Sequence, residues 1–192
     1  MMLSLLFCKP KRATVLGLGG GCLIKALLDN VPGIKLNAVE LRPKVIEIAE
    51  QYFHLPKSKR LQIIEQDAKK YVSQKQEKKV DLLFTDLYLE EGMDKAVIAE
   101  SFIENCDKQL KNDGWLVINC WEEEHNYTNL IEVLQQYFID IRSVNTSSGN
   151  WVIFAGKRLD YQTSKALKQE ATKLSNSLDF QLSKWLNRLA QV

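Results

Sequence analysis

Apolar and polar positions along the chain fall into short blocks that alternate between two periods. Residues 13–18 (ATVLGL) form a short apolar run, the mark of a buried strand, and residues 21–31 (GCLIKALLDNV) place their apolar positions at helical spacing. Residues 35–41 (KLNAVEL) predict a second strand. Pro43 then opens a helix over 43–53, because proline is tolerated in a first turn. A third strand is expected over 60–67, and a polar helix over 68–76. Residues 80–88 (VDLLFTDLY) are nearly all apolar, as a central strand covered on both faces requires. Helical periodicity over 94–114 ends at the stop signal Asn112-Asp113-Gly114, and residues 115–121 (WLVINCW) read as a fifth strand.

After this the rhythm changes. A helix over 129–138 precedes two strand-like runs within 139–157, joined by a Ser-Ser-Gly-Asn turn. So short a turn makes antiparallel neighbours, since a parallel crossover needs a dozen or more residues. Residues 1–10 predict a short leading helix, 11–158 the core, and 159–192 a helical tail. In that tail Leu174, Leu178, Leu182, Trp185, Leu186 and Leu189 recur mainly three or four apart. The expectation is a single α/β domain: a mostly parallel sheet, helices on both faces, and a terminal antiparallel hairpin.

Composition narrows the class. A hydrophobic content of 45% beside 26% charged residues describes an ordinary soluble protein, and a net charge of +2 is too small to suggest a nucleic-acid binder. The four cysteines form no CxxC pair, so a reduced cytoplasmic compartment explains them better than a disulfide framework or zinc site. The apolar opening has its positive charges, Lys9, Lys11 and Arg12, after it rather than before it, unlike a signal peptide. It also falls far short of the roughly 20 residues that span a bilayer. No membrane role is expected.

Chemistry concentrates at the strand ends. Glycines between a strand and a helix let a ligand approach the main chain and free the helix N-terminus to face it. Glu40 closes the next strand about 20 residues on, where a carboxylate can hold both hydroxyls of a ribose. The competing reading is a tight turn and a surface glutamate. Asp67 and Asp86 close strands three and four, at the edge where open parallel sheets bind ligands. Either aspartate could instead cap a helix. His54 and His125 have no triad-like context, and the lysine and Ser/Thr of a P-loop are missing. Residues 121–127 (WEEEHNY) read as a solvated loop rather than a metal site, and no metal is expected.

With these residues in place the chain resembles the class I S-adenosylmethionine-dependent transferases. More narrowly, it resembles the spermidine synthase (polyamine aminopropyltransferase) family. The segments that carry the likeness are VLGLGGG, AVELRPKVIEIAEQYF, LQIIEQDAKKYV, DLLFTDLY, DGWLVINCW and GNWVIFAGK. The resemblance implies a Rossmann-like fold with a seven-stranded sheet, and S-adenosylmethionine or its decarboxylated form as co-substrate. It implies that Gly19, Gly20 and Gly21 line the ligand's tail, Glu40 binds the ribose, and Asp67 with Ala68 borders the adenine, with Gly17 and Leu41 also among the cofactor-binding residues. Asp86 matches the first aspartate of the family's D-x-x-D-P motif, which takes a proton from the attacking amine. The implied partner is a small-molecule acceptor such as an amine, with a homodimer left open.

The sequence departs from the family pattern in places. Cys22 stands where the synthases carry the aspartate that holds the aminopropyl ammonium. Leu89 stands at the motif's second aspartate, no proline follows, and Glu90 and Glu91 are out of register. No counterpart of the synthases' small N-terminal β domain is expected. Losing the carboxylate at Cys22 removes a charge-assisted hydrogen bond of about 1.5–3 kcal/mol to a cation. It also relieves repulsion against the carboxylate of ordinary S-adenosylmethionine. Aminopropyl transfer and methyl transfer therefore both stand as expectations, beside a non-catalytic binding or interaction module. A nicotinamide-dependent dehydrogenase shares the glycine bend but lacks a recognisable catalytic set.

Overall fold

The computed structural model describes residues 1–89, 92–93, 95–121, 128–147, 149–178 and 180–192. Glu90, Glu91 and residues 122–127, which include His125, lie outside these, as do Ser148 and the side chain of Leu89. A 3-10 turn, Met2–Leu6, leads into β1 (Arg12–Leu16) and α1 (Cys22–Asn30). Next come β2 (Lys35–Glu40), α2 (Pro43–Tyr52), β3 (Leu61–Glu65), α3 (Ala68–Ser73) and β4 (Val80–Thr85). A small hairpin, β5 (Tyr88–Leu89) with β6 (Gly92–Met93), and a 3-10 turn, Lys95–Ile98, precede α4 (Glu100–Gln109) and β7 (Leu110–Trp121). The chain closes with α5 (Thr128–Tyr137), β8 (Asp140–Asn145), β9 (Asn150–Gly156), α6 (Ser164–Leu178), α7 (Leu182–Leu186) and β10 (Ala190–Gln191).

The large sheet runs β10-β8-β9-β7-β4-β1-β2-β3. The pairs from β7 through β3 are parallel, while β9, β8 and β10 each run antiparallel to their neighbour. It has eight strands rather than seven, because the two-residue β10 adds itself beside β8. Side chains alternate between two apolar layers. Val15, Phe84 and Val117 pack with α1, the leading turn and the tail, whereas Leu16, Leu83 and Ile118 pack with α3, α4 and α5. Covered on both faces, β4 is buried over nearly its whole length, as its nearly all apolar sequence implies.

Three boundaries differ from the sequence expectation. The expected long helix over 94–114 is a 3-10 turn followed by a shorter α4, which stops at Gln109. There the Gln109 amide donates to the carbonyls of Val72 (2.7 Å) and Gln74 (2.9 Å), and Leu110 turns extended to pair with Val80. The fourth strand ends at Thr85, and Tyr88 belongs to the separate hairpin. The tail is two helices and a strand end rather than one helix, docked through Ala171 and Leu182 in the core.

A buried ion-pair cluster ties the tail to the sheet. Arg142 on β8 binds Asp140 (2.7 Å) and Asp160 (3.2 Å), and the Asp160 N–H donates to Asp140 at 2.9 Å. The same guanidinium lies 4.6 Å from the centroid of the Phe7 ring, joining the leading segment to this corner.

Candidate functional site

The strand order reverses between β1 and β4, so the crevice at their carboxyl ends is the ligand position expected of an open α/β sheet. Sheet-like bonding continues one residue past the strands. Gly17 N–H donates to the Val39 carbonyl, and Asp86 N–H to that of Leu16, both at 2.8 Å. Gln66 N–H donates to the Glu40 carbonyl at 3.0 Å. These bonds set Gly17, Glu40, Gln66 and Asp86 side by side along one rim.

A cavity of about 360 Å³ opens on that rim. Gly17, Gly19, Glu40, Leu41, Asp67 and Ala68 all line it, and so does Asp86. Gly20 and Gly21 sit further along the bend, facing Phe53 and Leu55. At Gly17 and Gly21 glycine is demanded by space and dihedral alike. Gly17 has φ +90°, and a β-carbon there would overlap the Asp86 carbonyl oxygen; Gly21, at φ +75°, would meet Leu55. Gly21 is also the N-cap of α1, so no side chain caps the first-turn N–H groups, and Cys22 beside it is exposed.

Glu40 is no surface residue: it is 4% exposed. One of its oxygens accepts the Leu18 N–H within the glycine bend at 3.1 Å. The other accepts the Arg42 N–H at 3.0 Å and Arg42 Nε at 3.4 Å. A carboxylate offers about four acceptor positions, and these three bonds leave about one for a ligand's hydroxyl donor. Asp67 caps α3 by accepting the Lys69 N–H at 2.7 Å, and it also borders the cavity. Leu41, 57% exposed, supplies an apolar wall beside it.

Asp86 is half-buried, and its Oδ1 accepts from the side-chain amide of Asn119 on β7 at 2.9 Å. Its Oδ2 has no hydrogen-bond partner among the described residues. Tyr88, in the cavity wall, donates its hydroxyl to the Asn119 carbonyl at 3.2 Å and packs its ring 5.7 Å from that of Trp121. Arg42, Tyr88 and Asn119 were not singled out from the sequence. Asn119 is the one with a signal, a polar residue inside the apolar strand WLVINCW.

No group of three metal-ligating side chains comes together among the described residues, and no helix there is long and apolar enough to cross a membrane. Burial pushes the Cys8 thiol up to about 12, with the Asp81 and Asp113 charges adding to it, and Cys106 is raised further by its own burial. Both are protonated and unreactive near neutrality.

Comparison with known proteins gives a consistent result. The family model described as Spermine/spermidine synthase domain matches residues 2–158. A polyamine aminopropyltransferase of Neisseria meningitidis is 33% identical over 182 residues, covering 89% of this chain and 67% of that protein. The crystal structure of human methyltransferase-like protein 13 in complex with SAH superposes with a TM-score of 0.82 at 22% identity, covering 93% of this chain and 90% of that one. A spermidine synthase in complex with the transition state analogue AdoDATO gives a TM-score of 0.74 at 20% identity, covering 95% of this chain. The match takes in 65% of that synthase, so the chain spans about two thirds of its length. The two structural likenesses show that the fold is shared.

Proposed function

Because the chain belongs to the spermine/spermidine synthase domain family, we propose that it binds an S-adenosyl nucleoside in the strand-end cavity and transfers an alkyl group from its sulfonium to a small acceptor. The observation that carries this reading is the convergence of Gly17, Glu40, Asp67 and Asp86 on one cavity. A ribose hydroxyl is a donor suited to the remaining acceptor position of Glu40, and the adenine amine is a donor suited to Asp67. Leu41 and Ala68 offer apolar contact to the flat base.

Asp86 then has one task. An ammonium has no lone pair, so the acceptor must lose a proton before or as it attacks the carbon beside sulfur. The proton passes to Asp86, the nitrogen lone pair forms the new N–C bond, and the C–S bond breaks. Its electrons stay on sulfur, which becomes a neutral thioether. The Asn119 bond occupies Oδ1, so Oδ2 is the proton-accepting oxygen in this account.

Family membership favours an aminopropyl group and an amine acceptor. A specific observation favours methyl transfer: Cys22 lies exposed at the start of α1, whose first-turn N–H groups carry no side-chain cap. That arrangement suits the carboxylate of ordinary S-adenosylmethionine better than the ammonium of the decarboxylated form. The test is Asp86→Asn. Transfer to a primary amine is expected to fall about 10²–10⁴-fold, with S-adenosylhomocysteine binding within twofold of wild type. Turnover that survives the substitution removes Asp86 from the mechanism.

A further inference from the structure

Asn119 joins three neighbouring strands at the rim of the sheet. Its row on β7 reads Trp115, Val117, Asn119, with the first two in the apolar layer and the third turning polar where the cavity begins. The Asn119 side-chain nitrogen donates to Asp86 Oδ1 at 2.9 Å, and its side-chain oxygen accepts from Asn150 Nδ2 on β9 at 3.2 Å. An amide has donors at one end and acceptors at the other. A carboxylate on one side and an amide nitrogen on the other therefore leave only one orientation for Asn119. Its main-chain carbonyl meanwhile holds the Tyr88 hydroxyl at 3.2 Å. One residue thus fixes both the carboxylate and an aromatic wall of the cavity.

We propose that Asn119, braced by Asn150, is the positioning residue that holds the Asp86 carboxylate with Oδ2 toward the acceptor. This role rests on the group-transfer reading above. Without Asn119 the carboxylate is free to rotate about its side-chain torsions, and fewer encounters present a proton-accepting oxygen to the amine. Nucleoside affinity should not change, because Asn119 touches none of Glu40, Leu41 or Asp67 by any hydrogen bond described.

The experiment is a double-mutant cycle with a pH profile. Asn119→Leu is expected to lower kcat at least tenfold while S-adenosylhomocysteine binding, read by calorimetry, stays within twofold. In an Asp86→Asn background the same substitution should cost less than twofold more, since it acts through the missing carboxylate. Asn119→Asp keeps the size but places like charge against Asp86, so the acid limb of its rate profile should move to higher pH. Asn119→Gln should recover part of the rate. Equal losses in both backgrounds, or an unmoved acid limb in Asn119→Asp, overturn the positioning role while leaving group transfer intact. A wild-type protein that transfers nothing from either donor to a panel of primary amines overturns the group-transfer reading, and this role with it.

Discussion

Glu40 serves the fold and the site with the same two oxygens. It pins the Leu18 N–H in the glycine bend and the Arg42 N–H after β2, and it is nearly inaccessible. Glu40→Ala would strand these N–H groups, a loss of about 1–3 kcal/mol for each buried donor left unpaired. Denaturant unfolding should show a destabilisation in that range, and nucleoside binding should fall with it. Glu40→Gln, which retains one acceptor oxygen, should be intermediate. An unchanged midpoint for Glu40→Ala would mean that water replaces the clamp. At this scale the sequence was legible where a residue's type and strand-end position coincide, as at Glu40, Asp67 and Asp86. For Asn119 the signal was weak: a lone polar residue in an apolar strand has no period to give it a role, and its partner Asp86 is 33 positions away.

Elements were read well where short apolar runs sit between turn residues, and less well where a tertiary contact sets the boundary. Leu110 leaves the helix to pair with Val80, and β10 is two residues that gain meaning only beside β8. The corner around β8 has a consequence for stability. Burial alone would raise the Asp140 carboxyl, but hydrogen bonds from Arg142 and the Asp160 N–H, with the Arg142 charge and Gln191, hold it below the usual value. At Asp81 burial again opposes, and hydrogen bonds from Lys111 and the N–H groups of Arg12 and Lys11 outweigh it. A carboxyl whose folded value is depressed stabilises the protein above its unfolded value, about 3.9, and loses that contribution as pH falls through the folded value. These pairs should leave stability flat from pH 5 to 7 and reduce it below pH 4. Arg142→Ala, which strands buried Asp140, should cost about 3–5 kcal/mol at pH 7 and flatten part of the acid decline. Unfolding curves across pH for both proteins check this. An acid decline unaltered by the substitution would place its origin elsewhere.

For the molecule as a whole, the sheet order, the reversal between β1 and β4, and the rim of glycines and carboxylates belong to one design. That design was visible in the alternation of strand and helix periods, since each βα unit delivers its last strand residue to the same edge. The bracing of Asp86 was not visible, because it depends on contacts between the end of β4, β7 and β9 that no local pattern encodes. The most direct test is calorimetric titration of the purified protein with S-adenosylmethionine and, separately, with its decarboxylated form. The account predicts saturable binding of at least one donor at one site per chain. A tenfold preference, about 1.4 kcal/mol, would then assign the transferred group: aminopropyl if the decarboxylated form is favoured, methyl if the ordinary one is. Binding of neither would contradict the account and leave the glycine bend as a feature of the fold alone.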